Sequence, residues 1–265
     1  MAMRTDPGMI RSHNEDAIFA DPGLGVAILA DGMGGYNAGE VASGLATTRL
    51  AEDIAGVINS PAVLKRGICD SATIDSHIIN EVKAANLAIF NAAQGCSQYS
   101  GMGTTLVLAW FYDNRMSVAH VGDSRLYRLR GARLEQLTRD HSLLQEQLDS
   151  GIITAEQARY AENRNLVTRA LGVDPDVEVE VRDFDVRPGD IVMLCSDGLN
   201  DMVDDEDIAV TLQTLSSNLA LAADHLIHLT NANGGRDNVS VILVKVLGDF
   251  SSPRGWWQRL LARLQ

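Results

Sequence analysis

Cysteine is scarce and badly placed for cross-linking: Cys69, Cys96 and Cys195 are odd in number and lack Cys-x-x-Cys spacing, which argues against a disulfide framework or a zinc ribbon. A reducing compartment suits such a chain. Positive charge is also short, with 22 Lys and Arg against 35 Asp and Glu and a net charge of −13. Nucleic acid and anionic membrane are therefore poor partners for the main body. No apolar run approaches the roughly 20 residues needed to cross a bilayer, and Met1 to Arg11 lacks the apolar stretch of a signal peptide. The expectation is a soluble, cytoplasmic, monomeric protein.

Several catalytic signatures are missing as well. None of His13, His77, His120, His141, His225 and His228 forms an HxxxH or HExxH pattern, so a zinc hydrolase is not indicated. The chain has no Gly-rich loop ending in Gly-Lys-Ser/Thr, no nucleophile elbow and no Asp-x-Asp-x-Asp-Gly calcium loop.

What the sequence does have is acid at the ends of strand-like runs. Val26 to Ala30 leads into Asp31, Val118 to Val121 leads towards Asp123, Ile191 to Cys195 towards Asp197, and Asp237 precedes Val239 to Val244. Asn14-Glu15-Asp16 adds a further acidic pair. Each Asp-Gly or Asp-Asn pair alone reads as a turn. Jointly they read as one metal site, because carboxylates gathered at one sheet edge repel unless cations sit among them. Ligation by oxygen alone selects hard ions, Mg²⁺ or Mn²⁺. Gly32, Gly34 and Gly35 would let the backbone after Asp31 bend sharply and bring a carbonyl in as a further ligand. Arg11 either pairs with Glu15 four residues on or presents its planar fork to a phosphate.

Apolar spacing over 41–54 and 74–89 predicts two long helices, joined by a connection through Asn59-Ser60-Pro61. From Thr104 the pattern turns to hairpins: 104–112, a turn at Asp113-Asn114, 115–121, then 125–130, a turn at Gly131-Ala132, and 133–138. A third helix around 219–230 closes at Asn233-Gly234-Gly235. Without strict βαβ alternation, an α+β layered fold is expected from one large domain.

Six motifs in order, Arg11-Ser12-His13-Asn14-Glu15-Asp16, Asp31-Gly32-Met33-Gly34-Gly35, Gly101 to Thr105, Val121 to Arg125, Cys195 to Leu199 and Gly235 to Asn238, resemble those of the bacterial metal-dependent protein phosphatases of the protein phosphatase 2C family. The resemblance covers residues 4 to about 247. It implies a central sandwich of two antiparallel β-sheets flanked by pairs of α-helices (four layers, αββα), spanning 1–248, with residues 249–265 as linker and tail. It implies hydrolysis of phosphoserine and phosphothreonine in proteins, opposing a bacterial Ser/Thr kinase. By the same resemblance Asp31 bridges two Mg²⁺ or Mn²⁺ ions, Asp197 and Asp237 complete the first site, Glu15 and the Gly32 carbonyl serve the second, and Asp16 orients water. Asp123, with Asp197, matches a weaker third site, and Arg11 matches the phosphate-binding arginine.

Three departures stand out. Met33 occupies a place where some relatives carry a histidine proposed as general acid, so a metal-held water is the expected proton donor, ahead of His13 and His141. The segment 140–172 resembles the family's mobile flap but reads Ala161-Glu162-Asn163-Arg164-Asn165 where relatives often have His-Pro. The tail carries Trp256, Trp257, Leu260, Leu261 and Leu264 on one side of a short basic amphipathic helix, which either docks on the body or engages a protein partner.

Overall fold

Period-two alternation decides the architecture. In the computed structural model, which describes residues 1–35, 38–60, 71–158 and 166–251, strand β3 (Val26–Met33) turns Val26, Ile28 and Ala30 to one buried cluster and Ala27 and Leu29 to another. A strand buried on both faces must lie between two layers. Strand β10 (Ile191–Cys195) repeats the arrangement, with Ile191, Met193 and Cys195 on one side and Val192 and Leu194 on the other.

The strands form two antiparallel sheets. The first has the order β1 (Ala2–Asp6), β11 (Val239–Lys245), β10, β7 (Arg125–Arg130), β8 (Arg133–Gln136). The second runs β2 (Asp16–Asp21), β3, β5 (Leu106–Tyr112), β6 (Arg115–Val121), β9 (Glu180–Asp185), with the short β4 (Gly103–Thr104) also paired to β3. The first and last strands are neighbours, Ala2 lying opposite Leu243 and Asp6 opposite Val239.

Three apolar cores hold the layers. Leu29, Val107, Ala109, Leu126, Leu194 and Ile242, all buried, fill the space between the sheets. Helices α1 (Ala38–Ile58) and α2 (Ser71–Gly95) cover the second sheet through Leu50, Ile54, Ile78 and Ile89, packed near the fully buried Trp110. Each such side chain contributes roughly 1.5–3 kcal/mol when withdrawn from water. Two later helices, Asp205–Thr214 and Leu219–Ala232, cover the first sheet through Ile208, Leu212 and Leu226. With Leu143–Asp149 as α3, Ala155–Ala158 as α4 and Asp197–Asn200 as α5, they are α6 and α7. The result is the expected four-layer α+β sandwich.

The β5–β6 turn at Asp113 and Asn114 has φ of 42° and 57°, the left-handed pair that matches strand twist in a two-residue hairpin. Both long helices run further than their apolar spacing marked, and the strand expected over 133–138 stops at Gln136. Strands β1 and β9 and helices α5 and α6 had no clear sequence signal. The expected tail helix at 254–264 and the departure at 161–165 lie outside the described residues. No helix among the described residues is long and apolar enough to cross a membrane.

Candidate metal centre

The site is assembled from both sheets at one end of the sandwich. Asp16 opens β2 and lies directly opposite Asp31 of β3 in the antiparallel register, so two carboxylates share one face of the ladder. Like charges so placed destabilise a strand pair unless something neutralises them. The Asp31 backbone is held on three bonds: its N–H donates to Thr105 Oγ1 (3.0 Å), and its carbonyl accepts from Thr105 N–H (2.8 Å) and Thr104 Oγ1 (2.9 Å). Thr105 Oγ1 in turn lies 2.7 Å from Ser124 Oγ, tying this strand to the residue after Asp123.

The sharp bend expected after Asp31 is absent at Gly32. Asp31, Gly32 and Met33 continue the strand, and Gly32 has no left-handed backbone. A side chain is excluded there for another reason: a Cβ would run into Gly39 O, and would lie 2.6 Å from Glu15 O. The glycine permits the start of α1, strand β3 and the Glu15 loop to meet backbone against backbone.

Asn238 is the residue whose role sequence reasoning missed. Its Oδ1 accepts from Glu15 N–H (2.8 Å), and its Nδ2 donates to Pro7 O (3.0 Å) and His13 O (2.8 Å). It therefore pins the whole 7–15 loop, with Arg11 and Glu15, to the loop entering β11. The only hint in the sequence was its place beside Asp237. Ser196 plays a similar part: its Oγ donates to Asp16 Oδ2 (2.9 Å) and accepts from Ser240 N–H (2.9 Å), joining the two sheets behind the acids.

Asp197 begins the single-turn α5, and Asp237 lies just before β11. Asp123 sits in the β6–β7 turn, 7% exposed, after Gly122, whose φ of 104° and contact with Thr105 leave no room for a side chain. Arg125, two residues on, is bonded to Asp140 at 2.7 Å. Arg11 bonds to Asp237 Oδ2 at 2.7 Å, so of the two partners left open for it, Glu15 is not the one hydrogen-bonded.

Arg11, Glu15, Asp31, Gly32, Asp123, Asp197 and Asp237 all line one cavity of about 270 Å³, with Met33, Thr105, Val167 and Asn238. Asp16 stands behind this lining, against Asp31. All eight residues singled out from the sequence are thus brought to one place.

The electrostatics follow from crowding. Loss of water, then repulsion from Asp16, Asp197, Asp123 and Asp237, pushes the Asp31 carboxyl well above the usual carboxylate range. Asp197 is raised likewise, by desolvation and then by Asp123 and Asp201. Desolvation raises Asp16 to about 6 against the opposing hydrogen bonds from Ser240 and Ser196. Asp123 rises to about 6 from desolvation and then from Asp140. Glu15 is raised by desolvation, which Arg11 partly offsets. One guanidinium does not balance six carboxyl groups. The Oδ1 atom of Asp16 is buried without a hydrogen-bond partner. An all-oxygen donor set with excess negative charge and an orphaned carboxylate oxygen fits hard divalent cations.

A layered sandwich with such an acid-ringed cavity at one end is a scaffold built to hold hard divalent cations. The sequence pattern of the family described as Protein phosphatase 2C matches residues 11–230. The Ser/Thr protein phosphatase PstP of Mycobacterium tuberculosis is 39% identical over 246 residues, 93% of this chain but 45% of that protein. The chain therefore spans under half the length of that relative. The Ser/Thr phosphatase stp of Listeria monocytogenes is 38% identical over 248 residues, covering 91% of this chain and 94% of the relative. A solved structure of the PstP catalytic domain in complex with two manganese ions superposes with a TM-score of 0.80 at 38% identity, over 93% of this chain and 97% of that one. The chain belongs to the protein phosphatase 2C family. Asp237 lies beyond the matched stretch, and the fold is what brings it to the other acids.

Proposed function

We propose that this chain hydrolyses phosphoserine and phosphothreonine in proteins at a binuclear Mg²⁺ or Mn²⁺ centre and opposes a Ser/Thr kinase. The observation that carries this reading is the convergence of five carboxyl groups from both sheets on one cavity, with Asp16 behind Asp31 and a guanidinium at the rim. Relatives of near-equal length named as Ser/Thr phosphatases support it. Asp31, Asp197, Asp237, Glu15 and the Gly32 carbonyl would hold the two cations, and Asp123 with Asp197 would hold a weaker third. Two such ions, when bound, supply a hydroxide nucleophile near neutral pH and offset charge on phosphorus-bound oxygens.

The chain's own residues do the rest. Asp16, anchored by Ser196, orients the attacking water from behind Asp31. Arg11, whose side chain is half exposed, shares its fork between Asp237 and the phosphate oxygens of an incoming substrate. Met33 lines the cavity but its thioether has no proton to give, and no histidine is among the described lining residues. Water is then the proton source for the departing alkoxide. Residues 1–248 form the catalytic unit.

The test is hydrolysis of p-nitrophenyl phosphate with Mn²⁺ or Mg²⁺, which a chelator should abolish. Asp31→Asn should remove most activity. Arg11→Ala should chiefly weaken phosphate binding, by about 1.5–3 kcal/mol for a charge-assisted contact. Full turnover by Asp31→Asn would sink the assignment. Faster turnover of free phosphometabolites than of a phosphothreonine peptide would move the substrate class away from proteins.

A further inference from the structure

His141 is absent from the cavity lining yet touches the parts that build it. Its N–H donates to Gly122 O at 2.9 Å, and Gly122 N–H donates back to His141 Nδ1 at 3.1 Å. Its carbonyl accepts from Thr168 N–H at 2.8 Å. Gly122 precedes Asp123 and Thr168 follows Val167, and both Asp123 and Val167 line the cavity. Ser142, the next residue, bridges to Val167 and caps α3 by accepting from Gln145 N–H. One residue thus closes a two-bond ring on the acid-bearing turn and holds both ends of the 140–172 segment.

Proton counting fixes the state of the ring. Nδ1 accepts an N–H, so it bears no proton, and a neutral imidazole then carries its hydrogen on Nε2. Nε2 faces Glu180 Oε2 at 3.5 Å, and Glu180 opens β9 opposite His120. The His120 ring stacks on that of His141, centroids 4.6 Å apart and 13° from parallel, with its own Nε2 2.8 Å from Arg139 O. Burial lowers the pKa of both rings, which keeps them neutral. His120, His141 and Glu180 place ligand atoms within 4.8 Å of one another, close enough to suggest a second cation site. The proton count excludes His141 from it: one nitrogen already accepts from Gly122 and the other holds the proton.

The geometry points to His141 as a positioning residue, whose Nδ1 lone pair, presented by the Nε2–H tautomer, holds the Gly122 amide and so sets where the Asp123 carboxylate stands in the cavity. Gly122 is a demanding place for such a hold, because its left-handed backbone packs on Thr105 and leaves its buried amide no strand partner. The ring does not touch substrate. It acts through the turn.

Nitrogen NMR of the full chain tests the joint without reference to activity. The expected result is a coupling across the hydrogen bond between Gly122 N and His141 Nδ1, with ring shifts of the Nε2–H form. An Nδ1–H ring, or absence of that coupling, overturns the proposal. Variants test its consequence, which rests on the metal-site reading above. His141→Asn keeps an acceptor near the Nδ1 position, whereas His141→Leu fills the space without one. Mn²⁺ affinity, followed by titration calorimetry and by activation, should weaken roughly 10- to 100-fold in the Leu variant and within about threefold in the Asn variant, the range for lost outer-shell partners. KM for p-nitrophenyl phosphate should stay nearly constant in both. Equal weakening in the two variants, or none in either, refutes the positioning role. If the Leu variant does not fold, His141→Gln replaces it, since its acceptor falls at the Nε2 position. An inactive protein that still shows the coupling would overturn the phosphatase reading and leave the joint standing.

Discussion

Single side chains decide whether the acids meet at all, and Asn238 does so without being an acid. Its amide reaches the backbone at Pro7, His13 and Glu15, more than 220 residues away along the chain. Asn238→Ala should release the 7–15 loop, lower the melting temperature by the equivalent of about 1–3 kcal/mol for the buried groups left unpaired, and weaken Mn²⁺ binding through Glu15. Calorimetry and a Mn²⁺ titration check both, and an unchanged protein would remove Asn238 from the site's support. The acids themselves were legible because charge at the end of an apolar run is conspicuous. Asn238 was not, because an amide side chain next to an acid reads equally as a turn, and its partners are fixed only by the fold. Arg11 was half legible: four-residue spacing left Glu15 and a phosphate equally open as partners, because spacing in a loop carries no geometry, and its fork settles on Asp237.

Elements were read well where alternation or helical spacing was strong and poorly where a strand is wet on one side. Strands β5 to β7, apolar or cleanly bounded by turns, came out nearly at their observed limits. Strand β1 alternates half-buried and exposed residues and β9 is equally polar, since both are edge strands with only one neighbour and too little apolar surface to announce themselves. The Asp31-Gly32 pair was read as a sharp bend, yet it stays in β3, and the glycine answers to packing with the start of α1. This separates two glycines on neighbouring elements. Gly32→Ala puts a methyl against backbone that cannot yield and should destabilise by about 1–3 kcal/mol or more. Gly44→Ala, within α1 and with nothing within 4 Å of a Cβ, should stabilise by about 0.5–1 kcal/mol. Urea unfolding of the two variants should move in opposite directions.

At the scale of the molecule, the acid cluster makes stability depend on pH and on cations together. Asp16 and Asp123 have folded-state pKa values raised to about 6 from an ordinary 3.8, so their ionisation opposes folding. Well below the ordinary value of 3.8 both are protonated whether folded or unfolded, and there is no penalty. The penalty grows as pH rises through 4 to 6 and is complete above that, on the order of 2 to 3 kcal/mol for each group. Cations binding the folded state offset it, by about 2.7 kcal/mol at a hundredfold excess over Kd. The rise in melting temperature on replacing a chelator with Mn²⁺ should therefore be larger at pH 7.5 than at pH 5, and a rise independent of pH would contradict this account. Strand order adds a constraint of a different kind. Among the described residues the only sheet neighbour of β1 is β11, and the loop that follows β1 carries Arg11 and Glu15 into the cavity. On a ribosome, β1 waits for residues near 239–245 to emerge before it gains this partner, so the cavity is completed only once β11 has been made, and a nascent or truncated chain lacking β11 holds its acids apart.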